Sequence, residues 1–420
     1  MPFWRLAMED FDPVDVAEAQ DDEMTAPFRP DQIIYSRADE RGIVIFGNTT
    51  FREISGYRWE DLIGAPHKLI RHPDMPKGVF WLFWDRLKQG LPVVAYVKNR
   101  TKVGKHYWAL ALVAPCPGGY LSIRIRPQDS SRDQMAGIYS ELRARETKEN
   151  LKPERSAELF LEKLKEIGHS DYETFMRCTL DMEMNARASE IGKMERTRQE
   201  ALDSILKLAE DSDGYVNRMS EGFRNVRAEP INMRILSNRM EDGGAAISSI
   251  SQNYEVMAAD MGQELAALNA DDGQAFRHIR QTVAAGHFSL QAADLAAEAA
   301  RELVSMRGEL TAIGADTDGE LAIIEQFANH SRNRANDSLK TIGAHAERLS
   351  ETCRRLRRRI NGLDVVKLMC RVESGRRKNA DDALGGIIDR LAKFHLEIDR
   401  NLASLGRCAG GMTRNVRACR

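Results

Sequence analysis

The chain has 420 residues and a formal net charge of −2 at pH 7, so it carries no general electrostatic pull toward nucleic acid or an anionic membrane surface. Charged residues make up 30 % and aromatic ones 7 %, a balance that points to long solvated helices and away from one large globular core. Every apolar run falls short of the roughly 18 to 20 residues that span a bilayer, and the acidic start lacks the basic and apolar regions of a secretory signal, so a cytoplasmic location is expected.

Residues 1 to about 30 carry Glu9, Asp10, Asp12, Asp15, Glu18, Asp21, Asp22 and Glu23, interrupted by Pro13, Pro27 and Pro30. This reads as a disordered acidic leader, with a short docking helix around Phe3, Trp4 and Phe11 as the alternative. From 31 to 127 short strands and helices take over. Ile33-Ile34-Tyr35 and Ile43 to Phe46 flank the Asp39–Gly42 turn and predict a hairpin. Phe51, Ile54 and Tyr57 share a helical face, and Trp59–Ile63 and Val79–Lys88 predict two more short helices. Val93–Lys98, Lys105–Ala114 and Tyr120–Arg126 predict three further strands, the last two joined through Pro115–Gly119. The expected fold is α+β, a five-stranded antiparallel sheet with a helical flank and a ligand pocket between them.

Beyond Pro127 the apolar residues recur at spacings of three and four, which predicts a long all-α region of coiled coil or helical bundle. Residues 128–240 read as a helical linker or coiled coil, and 241–420 as a helical bundle or antiparallel hairpin. One seam runs Ile342, Ala346, Leu349, Cys353, Leu356, Ile360 and Leu363; another runs Leu384, Ile388, Leu391, His395, Ile398, Leu402 and Leu405. Ser212 interrupts a third, while Pro230 and Gly243-Gly244 mark kinks or ends. Such seams predict a homodimer. The arginines at 354, 355, 357, 358 and 359 surround Leu356 and Ile360 and read as a solvated flank, not a nucleic-acid patch. Cys116, Cys178, Cys353, Cys370, Cys408 and Cys419 are scattered without a C-x-x-C pair, against a disulfide framework or structural zinc site.

The densest chemistry lies in Arg71-His72-Pro73-Asp74-Met75-Pro76, where two prolines stiffen a loop carrying a guanidinium, an imidazole and a carboxylate. Together with Asn48, Phe51, Ile54–Tyr57, Gly64–His67, Val97–Arg100, Gly104, His106–Trp108 and Gly119–Arg124, this string resembles the PAS sensor domain of bacterial aerotaxis receptors. The resemblance covers roughly a quarter of the chain, and implies an FAD-binding redox or oxygen sensor. It assigns cofactor binding to Arg71, His72 and Asp74 and an apolar wall to Trp84, with Asn48 and Asn99 as further candidates. Pro92-Val93-Val94-Ala95 departs from the family's Pro-Trp-x-Gly pattern, and Lys68 stands where asparagine is typical.

Alternatives remain at this level. Asp74 could cap the next helix, Arg71 could make a surface pair and Trp84 could be core; His67, His72 and Asp74 could bind a metal, or His72 a haem. Cys116 is placed in a terminal turn, against photochemistry of the light-oxygen-voltage (LOV) kind. Leu368–Arg376 bears a fainter resemblance to the tip of the chemotaxis-receptor hairpin, implying a chemotaxis histidine kinase and coupling protein as partners, with Met369 in place of the tip asparagine. No nucleophile–base pair or phosphate loop is evident, so a non-enzymatic sensor is expected, passing its signal through Arg124 to Asp129 into the helices. The rival readings are a cofactor-free PAS scaffold and a haem-based gas sensor.

Overall fold

Alternating apolar runs broken by glycine turns give five strands: β1 (Ile34–Ala38), β2 (Val44–Gly47), β3 (Val93–Arg100), β4 (His106–Cys116) and β5 (Gly119–Ile125). They form one antiparallel sheet in the order β2-β1-β5-β4-β3. This computed structural model describes residues 25–192, 197–238, 244–268, 274–375 and 382–419. The turn from β4 to β5 is shorter than the sequence suggests, because Cys116 pairs with Gly119. Gly119 has φ +146°, and a Cβ there would lie 2.0 Å from the Ala38 carbonyl oxygen. Glycine alone lets β5 pass so close to the end of β1.

The chain between β2 and β3 supplies the flank: α1 (Thr49–Ser55), α2 (Trp59–Leu62), a 3₁₀ turn at His67–Ile70 and α3 (Lys77–Lys88). Asn48 caps α1 through its side chain, and Gly56 closes it at φ +71°, a left-handed stop that suits glycine. Along α3, Val79, Leu82, Phe83 and Leu87 are buried at helical spacing.

The leader expected at 1–30 lies outside the described residues up to 24. Its end is ordered on the sheet: Ala26 N donates to His106 O at 2.8 Å, and Phe28 packs edge-on to Tyr107. Burial of those two apolar side chains outweighs the local proline content.

After β5 come α4 (Asp129–Lys148), α5 (Pro153–Glu166) and α6 (Tyr172–Glu190). The sequence reads these as the start of a coiled-coil linker; instead they pack on the sheet and on α3. The reason is aromatic. Tyr139, Phe160, Tyr172 and Phe175 form a chain of ring contacts, and the hydroxyls of Tyr139 and Tyr172 donate to the β3 carbonyls of Tyr96 and Val94 at 3.0 and 3.2 Å. A Cβ on Gly78 would come within 2.4 Å of the α5 backbone, so that glycine sets how closely α3 and α5 approach.

The described residues form two compact units, those within 1–195 and 287–335, and those within 196–286 and 336–420. The remaining helices are α7 (Thr197–Val226), α8 (Glu229–Ser237), α9 (Gly244–Leu268), α10 (Gln274–Ser305), α11 (Arg307–Ala312), α12 (Thr317–Gly375) and α13 (Asp382–Ala418). In the first unit, residues 287–335 return to the sheet domain, where Leu295, Leu303, Leu310 and Ile324 join its core. Carboxylates fasten this return. Glu298 accepts from Arg187 at 2.6 Å, Glu302 from Thr50 at 3.0 Å, Glu309 from Thr49 at 3.1 Å and Glu320 from Tyr35 at 2.9 Å. The division of the chain therefore does not follow the linear boundary at 240.

In the second unit α7 packs along α13, with Phe223 edge-on to Phe394 at 4.9 Å. Ile342 to Leu363 and Leu384 to Leu405 are buried at their seam positions. Ser212 does not break α7; its hydroxyl donates back to Leu208 O at 2.6 Å. Pairs Arg371–Asp389, Asp364–His395 and Arg357–Asp399 show α12 and α13 running antiparallel. The turn expected between Gly375 and Asp382 falls on 376–381, outside the described residues.

Candidate functional site

The β1–β5–β4–β3 face, the β1–β2 turn, the 3₁₀ turn and α3 line a cavity of about 310 Å³. Alternation along the strands decides which side chains enter it. Ser36, Val97, Asn99, Ala111, Val113, Ser122 and Arg124 point in from the sheet, while His67, Lys68, Arg71, Phe80, Phe83 and Trp84 come from the flank.

Arg124 dominates the electrostatics. Its residue is 2 % exposed, its guanidinium lies 5.5 Å from the Phe51 ring centroid, and Nη2 donates to Ser36 Oγ at 3.1 Å and to His67 Nε2. Among the described residues no carboxylate pairs with it. Burial lowers its pKa to about 10. A guanidinium only donates, so His67 accepts through Nε2 and carries its proton on Nδ1. Burial, then the Arg124 charge, pushes the His67 pKa down to about 3, which keeps the ring neutral at physiological pH. His67 is also stacked parallel to Phe51, 6.3 Å between centroids.

Three donors of residues that line the cavity are buried without a hydrogen-bond partner: Arg124 Nη1 and Ser122 Oγ on β5 and Asn99 Nδ2 on β3. Each unsatisfied group costs about 1–3 kcal/mol. Their residues are polar exceptions in a mainly apolar lining. The wall is aromatic. Trp84 meets Tyr120 edge-on at 5.4 Å and Phe83 at 5.8 Å, while the Arg71 guanidinium lies over the Phe80 ring at 3.9 Å and donates to Met75 O at 3.2 Å.

Of the six residues singled out by sequence, the structure brings Arg71, Trp84 and Asn99 to the cavity. His72, Asp74 and Asn48 lie elsewhere. Met75 N bonds His72 O at 3.2 Å, and this turn sends both loop side chains toward Lys98, which alternates away from the cavity. Lys98 Nζ is 2.7 Å from Asp74 Oδ2, and His72 Nδ1 is 3.3 Å from the same oxygen. The His72 bond first, then Lys98, holds the Asp74 carboxyl well below the usual range. Asp74 does not cap α3, whose N-cap is Pro76. Asn48 is fully engaged in structure: Oδ1 accepts from Tyr35 N and Phe51 N at 3.0 Å each, and Nδ2 donates to Ile33 O at 2.8 Å. Val93 and Ala95 are buried but do not line the cavity.

Sequence reasoning missed Ser36 and Ser122 and gave no ligand role to Arg124. The signal was present in Leu121-Ser122-Ile123-Arg124-Ile125, where polar and apolar residues alternate in a strand with neighbours on both sides. Among the described residues no group of three His, Cys, Asp or Glu side chains could hold a metal, and no helix is long and apolar enough to cross a membrane.

The PAS fold family matches residues 44–117. The aerotaxis receptor of Escherichia coli (strain K12) is 37% identical over 134 residues, 31% of this chain. That match spans 26% of the receptor's own length. Among solved structures, the blue-light activated histidine kinase of Erythrobacter litoralis EL346 aligns over 27% of this chain and 40% of its own, with 16% identity and a TM-score of 0.22. A fungal LOV domain photoreceptor aligns over 29% of this chain and 85% of its own, with 14% identity and a TM-score of 0.20. The sheet domain has a PAS fold, matched over residues 44–117, and the chain is similar in sequence over its PAS region to the aerotaxis receptor.

Proposed function

We propose that the cavity binds FAD by its isoalloxazine ring and that the protein is a non-enzymatic signal-transduction sensor of redox or oxygen state. The observation that carries this reading is the buried Arg124 with its unpaired Nη1 on the cavity lining. A planar ring with carbonyl and nitrogen acceptors along one edge suits the unpaired Arg124 donor, and the aromatic wall of Phe80, Phe83 and Trp84 suits its faces. When bound, the flavin supplies reversible electron transfer. Arg124, positioned by neutral His67, would hold the polar edge, and the apolar walls would limit water around the ring.

The signal leaves through β5 into the helices that follow. Arg126, just past β5, pairs with Asp129 at the start of α4 at 3.1 Å, so a shift of Arg124 acts two residues from that junction. The similarity to the aerotaxis receptor supports a chemotaxis-type output, with the chain as a homodimer and a histidine kinase and coupling protein as partners. Leu368, Met369 and Val372, each at least half exposed on α12, offer an apolar face for such a contact.

An absorption spectrum of the purified protein tests the cofactor. The two-band spectrum of oxidised flavin, bleached by dithionite, is the expected result. A colourless sample that takes up no FAD on reconstitution would remove the flavin reading.

A further inference from the structure

β1 is shared between the cavity and the returning helices. Ser36 faces the cavity and accepts from Arg124 at 3.1 Å, while its neighbours Tyr35 and Arg37 face the opposite side. Both reach one carboxylate. The Tyr35 hydroxyl donates to Glu320 Oε2 at 2.9 Å, and Arg37 Nε lies 3.3 Å from Oε1. Glu320 sits in the first turn of α12 with its side chain 9% exposed. The register of β1 against β2 shifts between Arg37 and Ala38, an irregularity at which a strand bends and twists most readily.

We propose that Glu320 clamps the first turn of α12 to β1 and is released or tightened by what happens in the cavity. This inference rests on the cavity being the ligand site, and it adds a second exit to the β5–α4 route. A ligand that engages Arg124 Nη1 draws the guanidinium toward itself and changes its bond to Ser36. The strand moves as a unit, so Tyr35 and Arg37 shift against Glu320. Helix α12 then feels the state of the cavity at its N-terminus.

Hydrogen exchange over residues 317–328 of the full chain tests the clamp under two inputs: dithionite reduction of the flavin-loaded protein, and Arg124→Met without any cofactor. In the parent each input changes exchange in this segment several-fold. In Tyr35→Phe and in Glu320→Gln exchange there is about tenfold faster at rest and responds to neither input, while the absorption spectrum stays that of the parent. Tyr35→Phe removes one hydroxyl and keeps the test readable should Glu320→Gln unfold. The clamp is overturned if 317–328 ignores both inputs in the parent, or if the variants respond as the parent does. A protein that holds no flavin would sink the flavin reading alone, because the Arg124→Met input needs none.

Discussion

Replacing Arg124 by methionine separates a ligand-binding arginine from a structural one. Without ligand the buried guanidinium is a burden on the fold. The fall of its pKa from the ordinary arginine value to about 10 corresponds to about 3 kcal/mol of unfavourable charge burial. Methionine removes that burden and forfeits the bonds to Ser36 and His67, about 1 kcal/mol each. The cofactor-free variant is therefore expected to be about 1 kcal/mol more stable than the parent. Binding moves the other way. Loss of one charge-assisted hydrogen bond costs about 1.5–3 kcal/mol, which weakens FAD affinity by about 10- to 150-fold. Urea unfolding of the flavin-stripped protein measures the first effect, and fluorescence titration with FAD the second. A variant destabilised by more than about 2 kcal/mol with unchanged FAD affinity would refute the reasoning and make Arg124 a structural residue.

His67 stays neutral in the fold to about pH 3 but titrates near 6.5 when unfolded. Below 6.5 the unfolded state takes up a proton that the folded state refuses, so stability is full above that pH and is lost as pH falls toward 3. His67→Gln, which still accepts from Arg124, removes this loss, and its advantage over the parent in urea unfolding is expected to grow by about 2–3 kcal/mol between pH 7 and pH 4.5. Asn48→Ala deletes three hydrogen bonds outside the cavity and should cost about 2–4 kcal/mol of stability; an equal loss of FAD affinity in the folded variant would return Asn48 to the site. Gly119→Ala places a Cβ against the Ala38 carbonyl at φ +146° and should cost about 3 kcal/mol or more, read as a lower melting temperature; a melting point equal to the parent's would show that β5 can move aside.

The sheet, its flank and much of the cavity are legible in the sequence because local signals set them. Strand alternation, Asn48 before Phe51, and the Gly90 and Gly118 turns are each read within a few residues. The stiffness of the Arg71–Pro76 loop is legible too, but not its direction. Which way His72 and Asp74 point depends on a turn that docks on Lys98, 24 residues away from Asp74 in sequence. Arg124 was hidden for a different reason: an arginine near the end of a strand resembles a solvated residue until both sheet neighbours and α1 close over it. The packing of α4 to α6 on the sheet, and the return of 287–335, are the least legible. Glu298, Glu302, Glu309 and Glu320 have the look of solvated helix charges, and their partners lie more than a hundred residues away.

That return sets a clock on synthesis. Tyr35 and Glu320 are 285 residues apart, so at a ribosomal rate of about 5–20 residues per second the carboxylate emerges on the order of 14 to 57 s after the tyrosine. During that interval the sheet can close on itself while the surface destined for Leu295, Leu303 and Ile324 stays uncovered. The N-terminal domain is thus an open intermediate for most of its own translation, and chaperones have their longest opportunity to hold it there.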